Sequence, residues 1–315
     1  MIMMSQLIKD YQTVMEPVTF PKAFDDENYI YQVKWDGVRM IAVVHESRVR
    51  LINKHGHERT NQYGELQELP AMLDAKTAVL DGELVVLKEG KPSFPSIMRR
   101  DSSRDAKSLS YLRELLPVHY MVFDLLHLNG QDLRQENLLA RKSRLEKILF
   151  SQGFLHLVED FDSGRALFKA VDEFNMEGIV AKAKESLYLP GKKHRQWLKI
   201  KCLRSQNCLV GGYTLRGNVV NALLLGVYKD GGLSYVGKAG SGLSHGQQQI
   251  LSEQLPGLEI SCSPFINLDK IKTDCFFIKP EIGVRVEYLE WSEDMKLRSP
   301  TIKEFIRLKL QDCQV

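Results

Sequence analysis

In the N-terminal two thirds of the chain, short runs rich in β-branched and aromatic residues occur at 29–34, 38–45, 48–53, 78–87, 119–126, 178–182 and 197–201. Only two helical patterns interrupt them, at 133–150 and 163–175. Runs of this length and period predict strands, and their irregular alternation with helices predicts an α+β fold. No internal period is present, which excludes solenoids and propellers. The second helix has a capping Ser163 and repeats Leu167, Val171 and Phe174 at helical spacing. After residue 204 the texture changes to short strands separated by glycines, at 208–213, 222–228, 233–237 and 284–291, the pattern of a small β-barrel. Ser299 and Pro300, followed by Ile302, Phe305 and Ile306, predict a terminal helix. The expected domains are 1–203 and 204–315.

A chain of 315 residues that is 43% hydrophobic and 26% charged can bury two cores and is not disordered. Its apolar stretches, such as 222–228, fall far short of the roughly 20 residues that span a bilayer. The apolar start lacks a basic leader and meets Lys9 and Asp10, so no membrane association and a cytoplasmic location are expected. Five cysteines without a Cys-x-x-Cys pair predict neither a disulfide framework nor a zinc site. The net charge is only +3, yet 182–204 carries eight Lys/Arg against Glu185 alone. Such a run is either a solvated face or a polyanion-binding one.

No Gly-x-x-x-x-Gly-Lys-Ser/Thr occurs, and Lys238 stands in the wrong place within Gly237 to Gly242, which excludes P-loop chemistry. In Tyr31-Gln32-Val33-Lys34-Trp35-Asp36-Gly37-Val38-Arg39, alternation sets Gln32 and Lys34 on one side of a strand. An ammonium therefore ends a mostly apolar strand just before a turn, either solvated there or functional. Asp81 and Glu83 share a strand face, a geometry suited to a ribose hydroxyl or a hydrated divalent cation. Phe123, in Tyr120-Met121-Val122-Phe123-Asp124, reads as core or as a base-stacking platform. Glu177 and Lys182 flank an apolar centre. In Trp197-Leu198-Lys199-Ile200-Lys201 the two lysines share the face opposite Leu198 and Ile200, where parallel ammonium groups can clamp a phosphate.

Taken in order, these five segments resemble motifs I, III, IIIa, IV and V of the covalent nucleotidyltransferases, the superfamily of ATP-dependent DNA ligases, RNA ligases and mRNA capping enzymes. Val210-Gly211-Gly212-Tyr213-Thr214, the 222–228 run and Tyr235-Val236-Gly237-Lys238 are similar to the OB-fold domain of bacterial end-joining ligases of the ligase D type. The resemblance implies an adenylation (nucleotidyltransferase) domain of antiparallel sheets with helices, followed by an OB-fold barrel. The implied activity is ATP-dependent sealing of 5′-phosphate and 3′-hydroxyl ends in duplex DNA, through lysine-AMP and DNA-adenylate intermediates, in DNA repair. ATP and Mg2+, or Mn2+, are the implied cofactors. Nicked duplex DNA is the implied partner of a nucleoid-associated monomer, with separate end-joining or repair proteins beside it.

By the same resemblance Lys34 is the nucleophile on the α-phosphorus of ATP. The chemistry agrees, because a lysine with an ordinary pKa near 10.4 must first lose its proton. Lys199, Lys201 and a bound metal would favour that loss and neutralise the triphosphate as well. The resemblance further assigns Gln32 to the nucleotide site, Arg39 to the sugar or the DNA 5′-phosphate, Glu83 to the ribose or the metal, and Phe123 to the adenine face. Glu177 would hold the metal, Lys182 would approach the α-phosphate, and Lys199 and Lys201 would meet the remaining phosphate charge. DNA contacts are expected from Arg39, Lys54, Lys192, Lys193 and Arg195.

Two departures stand out. Lys54 occupies a place where the family has arginine, keeping charge without the forked geometry. The family's C-terminal Arg-x-Asp-Lys is replaced by Arg307-Leu308-Lys309 after Ile306. Arg307 and Lys309 are expected to substitute from one face of the terminal helix. The competing readings are an RNA ligase or capping-type nucleotidyltransferase, and an inactive nick-binding module.

Overall fold

A computed structural model describes residues 2–229, 231–268, 274–308 and 313, and its contacts divide into two units, Met1–Cys202 and Leu203–Val315.

The first unit opens with α1 (Ile2–Tyr11), whose Met4, Leu7 and Tyr11 recur at helical spacing and are buried. Strands β1 (Glu16–Thr19), β2 (Tyr29–Val33), β3 (Val38–His45), β4 (Arg48–Asn53), β5 (Thr77–Lys88) and β6 (Lys91–Pro92) follow. Helices α2 (Phe94–Ser102) and α3 (Ala106–Leu115) lead to β7 (Val118–Leu128) and β8 (Gln131–Asp132). Then come α4 (Leu138–Ile148), β9 (Leu155–Leu157), α5 (Gly164–Glu173), β10 (Gly178–Ala183) and β11 (Lys193–Lys201).

These strands form two sheets. The smaller has the order β1-β11-β10-β2, and the larger β4-β3-β5-β7-β8. On one face of the smaller sheet Tyr31, Ile179, Ala181, Leu198 and Ile200 pack with Leu167 and Val171 of α5. The register that buries this face turns Gln32, Val180 and Lys199, which pair across β2, β10 and β11, to the other. In the larger sheet Met40, Ala42, Leu80, Leu84 and Val122 line the main core, while Ile41, Val43 and Val79 pack with α1. Arg39 and Glu83 lie opposite one another and continue that second face. Charged side chains thus extend an apolar surface. Gly37 makes the entry into β3 possible, since a Cβ there would stand 2.1 Å from the Leu84 carbonyl oxygen.

The second unit contains β12 (Arg204–Arg216), β13 (Val219–Lys229), β14 (Gly232–Ala239), α6 (His245–Gln254), β15 (Phe276–Tyr288) and β16 (Thr301–Ile306). Its antiparallel sheet has the order β14-β13-β12-β15-β16, and Ser241 bridges to Thr301, so the two ends of that order meet as in a barrel. Gly242 follows with φ +94, and a Cβ on it would lie 1.9 Å from the Ile302 carbonyl oxygen.

The structure corrects two expectations. Residues 299–306 are not a helix: Ser299 has φ 53, and Thr301–Ile306 is β16, paired with β15. Its buried Ile302 and the cross-strand pairs Lys303–Glu287 and Arg285–Glu304, at 2.7 and 2.6 Å, show sheet packing overriding the Ser-Pro cap signal. Arg307 is exposed beyond this strand and on no helix, so the shared helical face with Lys309 is withdrawn; Lys309 lies outside the described residues. The helix expected over 133–150 is α4 alone, capped by Asn137, whose side chain accepts from the Ala140 amide.

Among the described residues no helix is long and apolar enough to cross a membrane, and the five cysteines form no disulfide.

Candidate active site

A cavity of about 340 Å3 is lined by the polar face of the smaller sheet and by the Arg39 and Glu83 end of the larger one. Lys34 sits at its edge because β2 ends there, its amide donating to the Gly178 carbonyl at 2.9 Å. The Lys34 ammonium contacts Glu177 Oε2, and the Lys201 ammonium lies 2.9 Å from Glu177 Oε1. One buried carboxylate therefore holds two lysines together. Burial works against the charge on Glu177, but Lys34 and Lys201 outweigh it and keep its carboxyl below the usual range. Lys199, one rung along the same face, has its pKa lowered by burial and by repulsion from Lys201 and Lys34. Glu83 is pushed up to about 8, chiefly by burial, with Lys34 and Arg39 opposing and Glu177 and Asp36 adding to the shift.

Glu83 and Glu177 offer hard carboxylate oxygens, the donors that hold magnesium-like ions in company with substrate phosphates. Among the described residues no cluster of three His, Cys, Asp or Glu forms a closed metal cage. The donor set fits a phosphate-shared ion rather than a structural one.

Arg39 spends its fork on Asp81, with Nε and Nη2 donating at 2.9 and 2.6 Å, and the Tyr188 hydroxyl donates to the same carboxylate at 2.7 Å. Burial opposes the charge on Arg39, yet Asp81 holds its pKa above the ordinary value. The two carboxylates of β5 thus divide their work: Asp81 is fully buried beneath Arg39, and Glu83 faces the cavity. The Arg39 guanidinium lies 5.2 Å from the centre of the Phe123 ring.

Lys182 has a different setting from the other lysines. Its ammonium stands 4.1 Å from the Phe123 ring centre and 4.3 Å from that of Trp197, buried and without a hydrogen-bond partner among the described residues. Lys182 pairs with Trp197 in the register that pairs Gly178 with Lys201. Four strand residues, roughly 13 Å, therefore separate it from the Lys34–Glu177–Lys201 cluster. The Lys182 ammonium thus stands against the aromatic end of the cavity.

Burial lowers the Lys182 pKa to about 7. An unfolded lysine keeps its proton until about pH 10.4, so the penalty on the fold is complete below pH 7 and fades as pH rises towards 10. Lys182→Met is expected to stabilise the protein at pH 6 by about 1–4 kcal/mol and by much less at pH 10. Thermal unfolding at the two pH values checks this; an equal effect at both would contradict it.

Gln32 is buried and its amide nitrogen donates to Asp160 Oδ1 at 2.7 Å, while Lys142 pairs with the same oxygen at 3.0 Å. Lys54 lies on the cavity wall, in a turn held by Asn53 Oδ1, which accepts from the amides of His55 and His57 at 3.0 Å each. Lys192, Lys193 and Arg195 are exposed and lie outside the cavity lining. Tyr188, Asp160 and Lys142 were not legible as site residues. Nothing in their local spacing marks them, because their partners lie 107, 128 and 18 residues away in the chain.

Residues 3–201 match the family model described as ATP dependent DNA ligase domain, and residues 216–308 match that described as ATP dependent DNA ligase C terminal region. The multifunctional non-homologous end joining protein LigD of Mycolicibacterium smegmatis is 30% identical over 283 residues, 87% of this chain and 35% of the relative. The SPbeta prophage-derived DNA ligase-like protein LigB of Bacillus subtilis is 32% identical over 193 residues, covering 61% of this chain and 67% of the relative. The chain thus spans about a third of the length of the LigD relatives it matches. Among solved structures, mycobacterial DNA ligase D complexed with ATP and MES aligns with TM-score 0.56 and 28% identity, covering 95% of this chain and 97% of that one.

Proposed function

The chain belongs to the ATP-dependent DNA ligases, enzymes that use ATP and a divalent metal, and on that premise we propose that its cavity forms a lysine-AMP on Lys34 and passes the adenylate to the 5′-phosphate of a nick. The observation that carries this reading is the convergence of Lys34, Lys199, Lys201 and Glu177 at one edge of the cavity. Lys34 Nζ attacks the α-phosphorus as the bond to pyrophosphate breaks, once its ammonium has lost a proton to solvent. Lys199 and Lys201 carry the charge that develops on the phosphate oxygens. Phosphoryl transfer asks mainly for positioning and neutralisation, which this cluster supplies.

At the other end Phe123, Trp197 and Val180 offer apolar surface to a base, and Lys182 a buried donor to it. Gln32, with its amide nitrogen committed to Asp160, presents its oxygen. Glu83 serves the ribose or, with Glu177, a Mg2+ ion, which would supply further charge neutralisation at the phosphates. Arg39 and Lys54 at the wall, with Lys192, Lys193 and Arg195 beyond it, meet DNA. The likeness to LigD extends the proposal to repair of broken ends beside separate end-joining proteins.

Incubation with α-labelled ATP or GTP, then with nicked DNA or nicked RNA, tests the reading. Label is expected on the protein from ATP, followed by its transfer to the DNA 5′-phosphate. A preference for GTP, or transfer only to RNA, would assign the chain to capping or RNA ligation instead.

A further inference from the structure

A second cavity, of about 660 Å3 and lined mainly by polar residues beside Leu109, lies next to the first, with Arg59, Asn61, Gln62 and Arg104 among its lining. The two are linked by one residue. Asp101 lines the first cavity and accepts from Arg59 of the second at 3.2 Å and from the Tyr63 hydroxyl at 3.1 Å. The acids on this side are already neutralised, Glu58 by Arg50 and Asp101 by Arg59. Arg104 is exposed and has no ion pair among the described residues. The net charge of the cleft is therefore positive, with the amides of Asn61 and Gln62 as further donors.

The walls are also fixed in place. Buried Arg100 donates to the carbonyls of Gln62, Leu112 and Leu116 at 2.9, 3.3 and 3.0 Å, tying the 60–72 segment to α3 from below. Preformed walls, exposed guanidinium and amide donors, and carboxylates already matched suit an anion that stays outside the nucleotide cavity. We propose that this cleft receives a backbone phosphate of the nicked duplex, held by Arg104 and Arg59, and sets the register of the break against Lys34. The inference rests on the DNA ligase reading above.

Arg104→Ala separates the two. Self-adenylation with α-labelled ATP reports the first cavity and is expected to be unchanged. Binding to a nicked duplex, measured without ATP across a salt series, is expected to weaken, and the slope of log Kd against log salt to fall by about 1, the loss of one phosphate contact. Arg104→Lys, which keeps the charge, is expected to restore the slope. Affinity and slope equal to wild type in Arg104→Ala would overturn the proposal, as would a defect confined to saturation by ATP. Should the wild type take no label from ATP, the ligase reading fails, while the salt series still decides the cleft.

Discussion

Lys34→Ala is expected to lose covalent AMP labelling by at least about a thousandfold, because it removes the amine held at Glu177 beside Lys201. Lys34→Arg should be as inactive. A guanidinium keeps the positive charge but does not give up its proton, so it cannot attack phosphorus. The pair of variants separates nucleophile from counter-charge. If arginine supported labelling, Lys34 would be a phosphate clamp and the covalent bond would form elsewhere. Neither change should unfold the protein, since the Lys34 side chain is 22% exposed and Glu177 keeps Lys201 as a partner.

The largest effect on stability is expected away from the chemistry, at the ion pair that fastens α4 to β7. Arg141 donates to Asp124 from Nε and Nη2 at 2.8 Å each, and neither side chain is exposed. Its remaining group, Nη1, donates to the carbonyls of Glu136 and Ser186. Asp124→Ala leaves that guanidinium buried without a counter-charge, a loss of about 3–5 kcal/mol. For a unit of this size each kcal/mol lowers Tm by about 2–4 °C, so a fall of roughly 10 °C is expected. Thermal unfolding measures it. A fall of under about 2 °C would mean that water reaches Arg141 and that the pair is not part of the core.

Asp124 also shows why parts of the site could be read from sequence and others could not. Seven strands of the first unit announced themselves through their residue pattern, the short β1, β6, β8 and β9 did not, and β3 and β4 span 38–45 and 48–53 as their patterns predict. Alternation likewise put Lys199 with Lys201, and Gln32 with Lys34, because a strand's period is local. Partnership is not local: Lys34 and Glu177 are 143 residues apart, and only the pairing of β2 with β10 brings them together. Arg141 and Lys142 look like the solvated face of a Lys- and Arg-rich helix, yet both are buried against acids supplied by other elements. The resemblance groups Lys182 with Lys34, Lys199 and Lys201, and its ammonium stands against Phe123 and Trp197. The terminal segment failed for the opposite reason. Ser299-Pro300 is a good local signal for a helix start, but five rungs of pairing with β15 outweigh it.

The central claim is a phosphorus–nitrogen bond at one side chain. Purified protein treated with ATP and magnesium, digested and analysed by mass spectrometry, should carry a single AMP adduct on the peptide containing Lys34, and fragmentation should place it on that residue. An adduct on Lys182, Lys199 or Lys201, or an unmodified peptide after treatment, would contradict the account.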